Sequence, residues 1–154
     1  MLKTLRNLSL IVMAAALTLS AADMMAGTWK LNTAKSKFSP GPGPQGSTAT
    51  YTQDGDWIVI KIDTVGPDGK ATSSSNRYKR DGKEYPYQAP TGAKGTIAVK
   101  SMGPNTTHAE IKVGPASSTV HTVVSKDGKT FTRTTKGTNA EGKPVNSTTV
   151  YEKQ

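Results

Sequence analysis

Turn dipeptides divide most of this chain into pieces one strand long. Asp54-Gly55, Asp68-Gly69, Asp81-Gly82 and Asp127-Gly128 are each a hairpin turn signal, and Glu141-Gly142 and Gly103-Pro104-Asn105 are variants of the same device. Where the signals are regular they stand thirteen or fourteen residues apart, which leaves room for one strand between turns. Beyond residue 22 Leu occurs once, at Leu31, while Thr occurs twenty times and Val, Ile and Tyr supply most of the remaining apolar side chains. That is strand composition, and no segment sustains a helical period. The expected fold class is all-β, with strands near 27–32, 47–53, 57–64, 71–79, 95–102, 106–113, 117–125, 130–137 and 145–153. An antiparallel up-and-down meander of eight to ten strands ends in two bare edges unless it closes on itself, so a barrel is expected, with a two-sheet sandwich as the alternative.

Residues 1–22 are a different material. Lys3 and Arg6 precede an apolar run over 8–19, and Ser20-Ala21-Ala22 follows, the order of a secretory signal peptide cleaved before Asp23. A run of twelve residues is too short to cross a bilayer, which needs about 20, so stable membrane insertion is not expected after cleavage. The chain has no Cys, which rules out both a disulfide and a lipid-modified amino-terminal cysteine. The reading is an exported protein, periplasmic or extracellular, with a single domain over 23–154 that its sheet and core alone must hold together. Loss of the leader leaves eighteen basic side chains against eleven acidic ones, a balance of +7. The basic residues are scattered and not interleaved with aromatic ones, so nucleic acid is not the expected partner.

Alternation assigns the faces. Ile58, Ile60 and Ile62 point one way and Trp57, Val59 and Lys61 the other; the first set is core. The same phase sends Ala49 and Tyr51, Ile97 and Val99, Ala109 with Ile111 and Val113, and Phe131 with Arg133 inward. An interior with few large aliphatic groups and many Thr, Ser and Ala leaves room for a cavity with apolar walls and hydroxyl groups, in a barrel of the size that holds one small ligand. The segment 33–46 carries Phe38-Ser39-Pro40-Gly41-Pro42-Gly43-Pro44, which suits neither helix nor ladder. It is either a lid with Phe38 tucked inward and Lys35 and Lys37 in water, or a plain connection.

Gly27-Thr28-Trp29 opens the first strand, and a buried Trp29 contributes roughly 2 to 3 kcal/mol. Arg133, inward beside Phe131, needs a carboxylate, a carbonyl or an aromatic face. It either lies over Trp29, a place for which Lys153 competes, or meets a ligand's anionic head; a phase error would leave it in solvent. With its Gly-x-Trp just after a leader, an open loop and a meander ending in Val150-Tyr151-Glu152-Lys153, the chain resembles the calycin group. These are the lipocalins and fatty-acid-binding proteins, and the likeness is in particular to small bacterial lipocalin-like secreted proteins. The resemblance implies that Trp29 closes the barrel floor, that Arg133 or Lys153 packs across it, and that a small, partly hydrophobic molecule is held inside. The sequence departs from the group in showing neither a carboxy-terminal helix nor a helical lid.

Chemistry finds little support. His108, Glu110 and His121 share one hairpin, with His121 opposite His108 or opposite Glu110 according to the turn, but two ligands do not make a metal site. No Gly-x-Ser-x-Gly elbow is present, most acids sit in turns, and the Gly-rich run is broken by Pro, so neither a catalytic site nor a nucleotide or other cofactor is expected. The reading is a monomeric, non-enzymatic, exported carrier of a small hydrophobic or amphipathic molecule. Arg133, Phe131, Tyr51, Ile60, Phe38 and Tyr151 are expected at the ligand, and Trp29 at the floor. The alternative is a filled β domain that acts through its basic surface on an anionic glycan or a protein partner.

Overall fold

The computed structural model describes residues 23–154; the leader expected over 1–22 lies outside the described residues. The first half of the chain forms β1 (Gly27–Lys37), β2 (Gly46–Asp54), β3 (Trp57–Val65), β4 (Ala71–Lys79) and β5 (Asp81–Gln88). The second half forms β6 (Lys94–Gly103), β7 (Thr106–Val113), β8 (Ala116–Val124), β9 (Thr130–Thr138) and β10 (Pro144–Lys153). All ten lie in one antiparallel sheet ordered β4-β3-β2-β1-β10-β9-β8-β7-β6-β5. No helix occurs among the described residues. The pairing of β1 with β10 wraps the sheet into a nearly closed barrel, whose end strands β4 and β5 meet at a seam without a ladder.

Nine of the ten strands lie where alternation and turn chemistry place them; β5 was expected to be a turn and connection. Gly82, at φ 78°, does break the regular ladder, but as an irregularity between Asp81 and Glu84 inside the strand. Arg80 is the single bend residue between β4 and β5. Pro86, which argues against a central strand, is tolerated because β5 is an end strand with one side at the seam. β1 is also longer than expected. After a register shift between Asn32 and Lys37 it pairs again, Lys37 with Thr148, so the irregular loop shrinks from 33–46 to 38–45. The Ser36 hydroxyl carries the shift, donating to the Asn32 carbonyl and accepting from the Val150 N–H.

Tight curvature requires glycine at two places. A Cβ on Gly95 would overlap the Lys112 carbonyl oxygen, and one on Gly137 would overlap that of Ser117. Both lie within strands, where the absence of a side chain lets neighbouring backbones close up.

One end of the barrel is filled. Trp29 and Phe131 are fully buried, their rings 4.9 Å apart, and Tyr151 stacks on Phe131 at 4.7 Å. Register explains the cluster, since Phe131 faces Tyr151 across β9 and β10, and Tyr151 faces Leu31 across β10 and β1. Below it, residues 23–26 form a turn that caps the floor. The Trp29 indole N–H donates to the Met25 carbonyl at 2.7 Å, and the Arg80 guanidinium grips the Asp23 carboxylate with two hydrogen bonds of 2.9 and 2.8 Å. The cation across the Trp29 ring is Lys153, at 5.1 Å.

With the Asp23 side chain 5% exposed and that of Arg80 21%, removing one partner strands the other charge. Arg80→Ala is expected to lower the unfolding free energy by about 2 to 3 kcal/mol, measured by urea denaturation. The double variant Asp23→Asn/Arg80→Gln should lose less than Arg80→Gln alone; equal losses would show that the pair is not coupled.

Candidate functional site

Large side chains crowd the floor and small ones line the walls above it, and the difference is a cavity of about 500 Å³. That volume lies in the range of small-molecule sites. Ile60 and Ile62 of β3, Ile97 and Val99 of β6, and Ile111 of β7 supply the apolar wall. Thr107, Ser118, Thr122 and Thr135 supply hydroxyl groups, so the mixed lining foreseen from the Thr-rich strands is present. The cavity reaches the end opposite Trp29, where Ala89, Thr91 and Ala93 of the β5–β6 turn and Ala140 of the β9–β10 turn form part of the rim.

Arg133 stands deep in this space. One Nη donates to the Tyr51 hydroxyl, and the guanidinium lies 5.3 Å from the Phe131 ring and 5.7 Å from that of Tyr151. Its Nε is buried without a hydrogen-bond partner, and none of the ion pairs among the described residues includes it. A guanidinium stays protonated at every physiological pH, so this is a half-buried positive charge, its Nε fully removed from water, with no carboxylate paired to it. Burial pushes the Tyr51 phenol above its ordinary range, against the pull of Arg133, so Tyr51 is neutral at physiological pH. While its oxygen accepts from Arg133, its own proton is free to be donated into the cavity.

Of the six side chains expected at a ligand, Tyr51, Ile60 and Arg133 line the cavity. Phe131 and Tyr151 lie beneath, as the aromatic bed on which Arg133 rests. Phe38 does not line the cavity; it is half-buried against the core cluster, and its ring closes on Gly43. Its loop is tied along the rim by hydrogen bonds from Ser39 N–H to Ser147, from Asn146 N–H to Ser39 and from Gln45 N–H to Val65. Lys35 and Lys37 are exposed, as expected. Of the two uses weighed for Arg133, packing over Trp29 falls to Lys153, because the register sets Lys153 directly opposite Trp29.

Sequence reasoning missed Asn76, Tyr78, Tyr87 and Met25, which also line the cavity. The run Ser73-Ser74-Ser75-Asn76 looks like a solvated strand, yet its alternation sets Ser74, Asn76 and Tyr78 on one buried face. Tyr87 belongs to the strand that was missed, and Met25 to the turn before β1. His108 faces His121 across β7 and β8, and Glu110 faces Thr119. No group of three or more metal-ligating side chains occurs among the described residues.

No protein-family model and no curated protein matches this chain. Solved structures do. A fatty acid binding protein of Schistosoma mansoni, in complex with arachidonic acid, is similar at 15% identity over 85% of this chain and 96% of its own, with a TM-score of 0.62. Lipid binding protein 8 of Caenorhabditis elegans is similar at 15% identity over 88% and 99%, with a TM-score of 0.61. Zebrafish ileal bile acid-binding protein, complexed with cholic acid, is similar at 16% identity over 85% and 99%, with a TM-score of 0.58. At such identities the likeness is one of fold, and it joins the wrapped sheet and plugged floor in showing that this chain folds as a calycin-type barrel.

Proposed function

We propose that the protein is a non-enzymatic carrier that holds one small amphipathic anion, its head at Arg133 and Tyr51 and its apolar body along the isoleucine wall toward the rim. The observation that carries this reading is the unpaired guanidinium at the base of an apolar cavity. Drawing such a charge part-way out of water is costly, and a carboxylate that accepts from Arg133 and from the free Tyr51 proton offsets that cost. An apolar body alone would leave the cation unanswered. The acids named with two of the similar structures, arachidonic and cholic, have the same division into an acidic end and a large apolar part.

The cavity walls offer no paired acid and base, and the one cation lies where it can hold a head group without moving a proton. Holding and releasing is the function this chemistry serves. We place the carrier outside the cytoplasm on the strength of its leader: Lys3 and Arg6, the apolar run over 8–19 and Ser20-Ala21-Ala22.

Three results are expected. Native mass spectrometry and tryptophan fluorescence with dodecanoate should show saturable binding, and Arg133→Met should weaken it by about a hundredfold while changing dodecanol binding little. Equal losses for acid and alcohol would refute the assignment of the head group. Second, Arg133→Met should raise the unfolding free energy of the empty protein by about 1 kcal/mol, because the variant removes a half-buried charge that has no ionic partner. Third, affinity for the carboxylate should be flat between about pH 6 and pH 9, where Arg133 stays charged and Tyr51 neutral. It should fall as pH drops through the ligand's own carboxyl pKa, about 4 to 5, as isothermal titration calorimetry can follow.

A further inference from the structure

The outer side of the β4/β5 seam carries chemistry that the interior does not use. Among the described residues no backbone hydrogen bond crosses this seam. Asn76 bridges it in place of a ladder: its amide donates to the Gln88 carbonyl at 3.0 Å, and its Oδ1 accepts from the Gln88 N–H at 2.7 Å. Elsewhere along the seam Trp57, on the outer face of β3, meets Tyr85 edge-on at 5.4 Å. An open groove of about 670 Å³ runs beside these contacts, and Trp57, Arg77, Tyr85, Pro86 and Lys94 form much of its lining.

The groove has a definite charge. Arg77 stacks on Trp57 at 4.2 Å, with Lys79 beside the same ring at 4.9 Å, and Lys94 adds another cation to the lining. No carboxylate lines the groove itself; Arg77 shares an exposed ion pair with Asp54 at 3.5 Å, and the Tyr85 hydroxyl donates to the Asp81 carboxylate at 2.8 Å, so an anionic ligand competes with Asp54 for Arg77. Between the cations the surface is mostly apolar, with Trp57, Tyr85, Pro86 and Tyr87 outweighing Ser75, Asn76 and Gln88. A cationic border around an apolar strip is complementary to a molecule with an anionic group and an apolar body. A polypeptide strand is a poor fit. One asparagine side chain spans the seam, whereas an inserted strand needs two inter-strand spacings, about 9.5 Å.

We propose that this groove is a second binding site, for a small amphipathic anion whose acidic group meets Arg77 and whose apolar body lies along Tyr85, Pro86 and the edge of Trp57. Asn76 and Tyr87 belong to the lining of both the groove and the interior cavity, so the two sites share a wall. The ligand class is the one assigned to the interior, but the groove stands on its own residues, and the test separates the two.

The chain has two tryptophans, Trp57 in the groove and Trp29 in the floor beneath the interior cavity, so fluorotryptophan labelling gives two fluorine resonances, assigned with Trp57→Phe. The full protein is titrated with dodecanoate and, separately, with anilinonaphthalene sulfonate. The Trp57 resonance should shift saturably with both probes, and should still do so in Arg133→Met, in which the interior head-group site is lost. Arg77→Gln/Lys94→Gln, both exposed substitutions, should weaken the Trp57 response about tenfold and leave the Trp29 response in place. A Trp57 resonance that neither probe moves would overturn the proposal. So would a response that the double variant leaves intact, or one that appears only with polyglutamate and marks a protein-docking surface instead.

Discussion

A buried indole needs an acceptor for its N–H, and the way Trp29 obtains one governs the lower half of this molecule. The acceptor is the Met25 carbonyl, four residues earlier, so the chain must turn back under the barrel before β1 can begin. That turn is held by Asp23, whose carboxylate accepts from its own Met25 N–H and from both ends of the Arg80 guanidinium. Arg80 sits where β4 gives way to β5, so the anchor joins the start of the described chain to the two strands that flank the seam. Packing then follows: Phe131 lies against the indole, Tyr151 and Tyr51 pack on Phe131 in turn, and Lys153 covers the indole ring.

A plugged floor makes an empty middle tolerable. Most of the fully buried bulk is concentrated at one end, and the wall above it is made of Ile, Val, Ala, Thr and Ser, side chains too short to meet across the lumen. A barrel with the same strands and larger apolar side chains at several of these wall positions, Ala109 and Thr122 among them, would fill much of that space. The stability that such filling would add is forgone, and Arg133 departs from a best-packed core in the same way, a cation among apolar and aromatic side chains without an ionic partner. Both departures from a best-packed core lie on one surface, which is how a binding site differs from a packing defect.

Much of this was legible in the chain because alternation is a local property. Ile58 and Ile60, Ile97 and Val99, and Phe131 with Arg133 declare their faces from neighbours two residues away. Contacts that depend on wrapping were not legible. Arg133 and Tyr51 lie eighty-two positions apart and meet only because β1 and β10 pair and draw β2 and β9 toward each other. The contest between Arg133 and Lys153 for the Trp29 ring was likewise decided by register across β1 and β10. β5 escaped notice for a different reason, since Gly82 and Pro86 deny a regular strand, and only its place at the end of the sheet makes them acceptable.

The single asparagine that spans the seam also bears on how the molecule behaves toward its own kind. An open sheet of Thr- and Val-rich strands presents bare amides and carbonyls at both margins, the template on which fibres grow. Here each margin faces the other, one interrupted by proline, and both are held at a distance too small for a third strand to enter. Asn76 thereby serves solubility as well as shape. Its loss would free two complementary margins at once, and the natural partner for each would be the opposite margin of another copy, an arrangement that repeats without closing.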